Sequence, residues 1–389
     1  MSGAAGFIQQ LAAPGPWGVT PYRPGKPIAE LERELGISGS VKLASNENPL
    51  GPGVKALAVI EQHLAEIERY PDSNGYYLKS RLADTLNISP DQIALGNGSN
   101  ELLEIIARAF LTAGTSAVFS QYCFTVYPIV TQSSGARAIA VPAIKWGADL
   151  DAMAQVVAAD TRLIFIANPN NPTGTWVDRT ALETFLDSLP EHLLVVLDEA
   201  YIDYIDQPDH PDGLQLLERF PRLIVLRTFS KIYGLAGLRV GYAVAAAQII
   251  ELLNRVRQPF NVNSLGMVAA TAALDDQQHL QQSRQVNRDG LVQLSQGLND
   301  LRLATIPSRG NFVTVGLGRP ADEIYRLMLE KGVIVRPLAN YQMPSHLRIS
   351  VGLESENRRC LQALAECLAD DTVNSSLRSG AAVYGERSD

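Results

Sequence analysis

In the stretch "TFSKIYGLAGLRVGY" (228–242) one lysine, Lys231, follows directly on a short apolar run. Thr228 and Ser230 precede it and Arg239 comes eight positions later. A lysine amine held in such a place is a candidate for attack on a carbonyl carbon to form a Schiff base. Two further runs end in polar residues of complementary chemistry: "LDEAY" (197–201) supplies Asp198 and Tyr201, and "NPNNPTG" (168–174) supplies Asn171. A fourth, "QIALGNGSNELLEIIARAF" (92–110), reads as a strand, a glycine-containing turn and an amphipathic helix, with Ser99 or Asn100 placed to cap it. The free backbone N–H groups and the dipole of that helix would hold a phosphate. Neither the spacing of a P-loop nor "GxGxxG" is present, which removes the main support for hydride transfer.

These residues need a frame that brings them together. "LIFIAN" (163–168), "LLVVLDEAY" (193–201) and "RLIVLRTFS" (222–230) are short, nearly continuous apolar runs, as buried parallel strands are. Helical periodicity between them, as in "RTALETFLDSLP" (179–190), makes a succession of βα units, and the fold class is α/β. Ligands of open α/β sheets sit beyond the carboxyl ends of the strands, where Asn171, Asp198 and Lys231 fall. Near Pro259 the pattern breaks; a long polar helix (275–301) leads to new strands, "NFVTVGL" (311–317) and "HLRISVGL" (346–353). The expected organisation is an arm (1–45), a large domain (46–260), a smaller α+β domain (261–369) and a polar, disordered tail (370–389).

Composition narrows the choice of ligand. Of 389 residues, 33 Lys+Arg stand against 41 Asp+Glu, a net charge of −8, which argues against bulk binding to nucleic acid or anionic membrane. An anionic ligand must therefore meet a local cluster of cations. With no run of 18 apolar residues and no signal-peptide pattern at the start, a cytoplasmic location is the default expectation. Cys123, Cys360 and Cys367 are too few and too irregularly spaced for a disulfide frame or a zinc site, and the five histidines fall in none of the motifs. No metal is expected.

The motifs, in order, resemble those of pyridoxal-5′-phosphate enzymes of the aspartate-aminotransferase fold (fold type I), and among them the histidinol-phosphate aminotransferases. The matching segments are "YRPGK" (22–26), "VKLASNENPLGP" (41–52), "RYPD" (69–72), "GNGSNELLE" (96–104), "NPNNPTG", "LDEAYIDY" (197–204), "TFSKIYGLAGLRVGY" and "LRISVG" (347–352). They span the chain to about Ala369.

The resemblance implies a role for each matched position. Lys231 would carry the cofactor covalently and, once released, move protons. Asp198 would face the pyridine nitrogen, and Asn171 and Tyr201 would hydrogen-bond the ring's 3′ oxygen. Gly98, Ser99, Asn100, Thr228, Ser230 and Arg239 would cradle the phosphate, with arginine suited to it by its bidentate fork. Phe124 aligns with the aromatic that stacks on the ring, with Tyr122 and Tyr127 as nearby alternatives. Phenylalanine can stack but forms no hydrogen bond there. Tyr70 would reach the phosphate in a neighbouring subunit, which implies a homodimer. Tyr22, Arg336 and Arg348 would recognise the substrate together with Asn171.

The reaction implied is ping-pong amino transfer between glutamate and 2-oxoglutarate on one side and histidinol phosphate and imidazole-acetol phosphate on the other. Aromatic amino-acid aminotransfer is the alternative within the family, and decarboxylation of a phosphorylated amino acid lies further off. A cofactor-sensing regulator would need a basic helix-turn-helix, which the opening "PGPWG" and "PYRPGKP" do not supply.

Overall fold

A computed structural model describes residue 8, residues 11–21 and residues 25–369. Tyr22 and the tail expected to be disordered lie outside the described residues. The chain divides into two compact units, one within 1–23, 50–285 and 308–310, the other within 24–49, 286–307 and 311–389.

The first strand, β1 (Val41–Lys42), belongs to the smaller unit. The next seven form the sheet of the larger unit: β2 (Ile93–Gly96), β3 (Ser116–Ser120), β4 (Arg137–Val141), β5 (Thr161–Ala167), β6 (Leu194–Asp198), β7 (Leu223–Thr228) and β8 (Gly241–Val244). Their order is β2-β8-β7-β6-β5-β3-β4. The pairings from β4 through β7 are parallel, whereas β8 runs antiparallel to both β7 and β2. The three strands read from apolar runs are β5, β6 and β7. Connection direction reverses between β3 and β5, and a crevice opens at such a switch point beyond the strand ends.

Alternation along the strands decides what each face carries. Val196, Ile224 and Leu226 pack with Leu103 and Ile106 of the helix Ser99–Phe110, while Val195, Leu197 and Val225 pack on the opposite face with Phe185 of the helix Arg179–Ser188. Side chains two apart share a face, so Asp198 and Thr228 continue the first face and Glu199 and Arg227 the second. Helices covering both faces explain why the central strands read as continuous apolar runs.

In the smaller unit, β9 (Ala304–Ile306), β10 (Phe312–Gly316), β12 (Arg336–Leu338) and β13 (Met343–Ser350) form an antiparallel sheet of order β12-β13-β10-β9. A separate parallel pair joins β1 to β11 (Val333–Ile334). The helices Ala321–Glu330 and Glu354–Ala369 supply Ile324, Met328, Cys360 and Leu364 to the core against Val313, Leu347 and Ile349. All three cysteines are buried and free.

Candidate active site

The loops that leave the carboxyl ends of β3, β5, β6 and β7 carry the polar residues singled out in the sequence. Lys231 lies three residues beyond β7, half-buried, in a turn closed by Gly234 N donating to the Lys231 carbonyl (2.9 Å) and Leu235 N donating to the Phe229 carbonyl (3.1 Å). Phe229, wholly buried, anchors that turn in the core. The lysine's Nζ sits 5.7 Å from the centre of the Tyr201 ring, so these two side chains meet although thirty residues of chain separate them.

Asp198 ends β6 with only 5% of its surface exposed. Its Oδ2 accepts a hydrogen bond from Tyr127 Oη at 2.9 Å. Among the described residues, its buried Oδ1 has no hydrogen-bond partner. Burial raises its pKa from 3.8 to about 6, against the pull of the Tyr127 hydrogen bond and the positive charge of Lys231. A buried carboxylate oxygen without a partner is costly unless a donor arrives.

A second group of residues converges on the start of the helix Ser99–Phe110. Gly98 is its N-cap, and no side chain caps the helix. This corrects the expectation that Ser99 or Asn100 would do so: both lie inside the first turn, where side chains cannot fold back onto the amides as an N-cap does. Gly98 has φ 78° and ψ 167°, and a Cβ there would fall 2.2 Å from Arg239 Nη2. The guanidinium thus lies against the bare glycine, where its Nη1 donates to Ser230 Oγ (3.0 Å) and to the Ala236 carbonyl (3.1 Å). Thr228 Oγ1 accepts from Ser230 N (3.1 Å) and donates to the Val240 carbonyl (3.3 Å), which ties the lysine turn to the residue just before β8. Uncapped amides, an arginine and two hydroxyls in one place suit a phosphate.

Near the switch point, Asn170 Nδ2 donates to the Tyr122 carbonyl (2.7 Å) and to Thr173 Oγ1 (2.8 Å), so the loop bearing Asn171 is bound to the loop bearing Phe124. Phe124 is half-buried and meets Tyr127 edge-on at 5.9 Å, while Tyr122 leans on Trp146 at 5.3 Å. Tyr127 is fully buried and stacks on Phe165 instead. Of the three aromatics it is the one that donates to Asp198. Tyr70 is 83% exposed and stacks on Phe260 at 4.8 Å.

The smaller unit holds Arg336 and Arg348 as direct cross-strand neighbours in β12 and β13, both buried. Arg348 Nη2 donates to the Ala44 carbonyl at 2.7 Å, and its guanidinium lies 5.3 Å from the centre of the Phe312 ring.

A family model described as aminotransferase class I and II matches residues 38–364. The chain belongs to this family. It is 56% identical to histidinol-phosphate aminotransferase 2 of Pseudomonas fluorescens strain Pf-5, over 94% of this chain and 99% of that protein. To the protein of the same description from Pseudomonas aeruginosa PAO1 it is 55% identical, over 93% and 98% of the two. Among solved structures, histidinol-phosphate aminotransferase from Sinorhizobium meliloti in complex with pyridoxal-5′-phosphate superposes with a TM-score of 0.84 at 31% identity, covering 92% of this chain and 97% of that one. The fold is the aspartate-aminotransferase-like α/β fold of the family.

Two features of the site in this family member went unread in the sequence. One is the Tyr127 hydrogen bond to Asp198. The other lies on the opposite face of the sheet, where Arg227 Nε (2.9 Å) and Nη2 (2.8 Å) both donate to Glu199 Oε2. Glu199 Oε1 accepts from Gly213 N at 2.7 Å, and Arg227 Nη2 reaches Asp212 at 2.6 Å. This buried pair sits one residue after Asp198 and one before Thr228, so it ties together the ends of the strands that carry the site. The adjacent carboxylates Asp198 and Glu199, and the arginine Arg227 beside Thr228, at the ends of apolar runs were the available signal.

Proposed function

We propose that this chain is a pyridoxal-5′-phosphate-dependent aminotransferase of histidine biosynthesis, exchanging the amino group between glutamate and imidazole-acetol phosphate to give 2-oxoglutarate and histidinol phosphate. The observation that carries the reading is the combination in one unit of Lys231 against Tyr201, a buried Asp198 with an open Oδ1, and the cradle of Gly98 and Arg239. Identity above 50% to proteins described as histidinol-phosphate aminotransferases over nearly their whole length supports the same substrates.

When bound, the cofactor supplies an electrophilic carbonyl for the substrate's amine and a ring that draws electrons away from the substrate's Cα. The protein's own groups do the rest. The Lys231 amine would hold the cofactor covalently at rest and, once free, would take the proton from the substrate's Cα. Asp198 would hold positive charge at the pyridine nitrogen through Oδ1. Asn171 and Tyr201 would donate to the ring's 3′ oxygen, Phe124 would cover a ring face, and Gly98, Ser99, Asn100, Thr228, Ser230 and Arg239 would hold the phosphate.

Glutamate presents two carboxylates and histidinol phosphate one phosphate, so the same guanidiniums must receive different anions. Arg336 and Arg348, buried side by side, are assigned to that task, with Tyr22 and Asn171. Tyr70 is assigned to a neighbouring subunit's phosphate, and the protein to a homodimer in the cytoplasm. An aromatic side chain 83% exposed supports a role for Tyr70 outside its own core.

Purified protein with pyridoxal phosphate is expected to absorb in the visible and to bleach on addition of glutamate. The Lys231→Ala variant is expected to bind the cofactor without completing the glutamate half-reaction. A variant that ran this half-reaction at the wild-type rate would refute Lys231 as the base. Turnover of phenylalanine or tyrosine in preference to histidinol phosphate would refute the substrate assignment.

A further inference from the structure

The Asp198 carboxylate has two oxygens in different circumstances, and the difference is made by one residue. Oδ2 takes the Tyr127 phenol at 2.9 Å, while Oδ1, also buried, has no hydrogen-bond partner among the described residues. Tyr127 itself cannot wander. It is wholly buried on the helix Val126–Ser133, its ring lies parallel to Phe165 at 5.0 Å and 10°, Phe124 closes its edge, and its carbonyl accepts from Thr131 Oγ1 at 2.8 Å. Burial and the neighbouring Asp198 charge hold the phenol far above its usual range, so it remains a donor at every working pH.

We propose that Tyr127 is a positioning residue for Asp198: by holding Oδ2 it fixes the carboxylate's rotation, aims Oδ1 at the cofactor's pyridine nitrogen, and keeps the carboxylate a weak enough base to leave the proton on that nitrogen. The inference rests on the functional reading given above. Without the phenol, burial would act on Asp198 with only the Ala200 backbone amide and Lys231 to oppose it, and the carboxyl would compete with the pyridine for the proton. Cys123 and Tyr201, the other titratable groups acting on Tyr127, both act after burial and Asp198 in raising it, so neither draws the proton away.

The test compares holoenzymes carrying pyridoxal phosphate labelled with ¹⁵N in the ring: wild type, Tyr127→Phe, and Tyr127→3-fluorotyrosine. Phenylalanine keeps the stacked ring and removes only the hydroxyl, whereas fluorotyrosine keeps the volume and strengthens the donor. In Tyr127→Phe the ¹⁵N resonance should move from the protonated toward the neutral pyridine position. The glutamate half-reaction should slow about tenfold or more, as loss of a hydrogen bond to a charged group implies, with KM within about twofold. Fluorotyrosine should leave resonance and rate near wild type. A role confined to packing would lower thermal stability in Tyr127→Phe and leave the resonance in place, and that result would overturn the inference. Wild-type protein that takes up no pyridoxal phosphate would instead overturn the functional reading beneath it.

Discussion

Replacing Gly98 by alanine adds one carbon and should separate two effects that the structure places on different groups. The backbone there, φ 78° and ψ 167°, lies in a region essentially restricted to glycine, so a Cβ costs roughly 1–3 kcal/mol of fold stability whatever the surrounding space. The added carbon would also stand 2.2 Å from Arg239 Nη2 and 3.0 Å from its Cζ. Those atoms end a flexible side chain, so the guanidinium can swing aside at small steric cost. It would then leave Ser230 Oγ and the place assigned to the phosphate. A charge-assisted hydrogen bond is worth about 1.5–3 kcal/mol, hence a loss of roughly 10- to 150-fold in affinity for pyridoxal phosphate. Titration of apoenzyme with cofactor, followed by absorbance, measures the second effect, and urea denaturation of the apoenzyme measures the first. In an Arg239→Ala background the stability loss should persist and most of the affinity loss should vanish, because no guanidinium remains to be displaced. If Gly98→Ala binds the cofactor within about twofold of wild type, Arg239 does not hold the phosphate from that position. An equal affinity loss in both backgrounds would put the effect in the helix amides instead.

Asp198→Asn should stabilise the apoenzyme while abolishing turnover. The folded pKa of about 6 exceeds the ordinary 3.8, so the native state holds the extra proton between those values and stability falls as pH rises through the window. That rise corresponds to about 3 kcal/mol at pH 7, absent below pH 4, and urea midpoints of the two apoenzymes across pH 3.5–7.5 measure it. Equal midpoints at pH 7 would mean that Asp198 is ionised in the apoenzyme at no cost. Arg348→Ala should raise KM for both glutamate and histidinol phosphate by tenfold or more and leave the visible absorbance in place; a bleached protein would assign Arg348 to the cofactor. Refolding Lys231→Ala together with Tyr70→Ala should restore up to half the wild-type activity per mixed dimer, because one site then has both residues. Verified mixed dimers without activity would place Tyr70 in the service of its own subunit.

What could be read from the sequence and what could not divide along a physical line. Residues at the ends of apolar strands are legible because two constraints meet there: a central parallel strand must be apolar on both faces, and ligands gather at its carboxyl end. Asn171, Asp198 and Lys231 are polar where the strand rule relaxes, and so they stand out. β4 and β8 were harder to see, since Arg137 interrupts the apolar run of β4 and β8 is only four residues long. The helix cap was misjudged because glycine offers no side chain to recognise. Its bare Cα leaves room for Arg239, a contact between positions 141 residues apart that no local pattern encodes.

Tyr127 belongs to neither class. It sits within an apolar core of Leu103, Phe119, Phe165 and Val196, where a tyrosine and a phenylalanine fill the same ring volume at the same helical period. Only the hydroxyl distinguishes them, and a buried hydroxyl must find an acceptor. Along the alternation of β6, Asp198 points to the face that Val196 occupies, so the carboxylate and the phenol enter the same apolar volume from different elements. Each would be costly there alone. Together they satisfy one another at Oδ2 and leave Oδ1 buried and open, a state that favours arrival of a positively charged donor. The apolar surroundings that destabilise Asp198 in the apoenzyme therefore also sharpen its preference for a protonated pyridine nitrogen. That coupling exists only once the helix Val126–Ser133 has packed against the sheet.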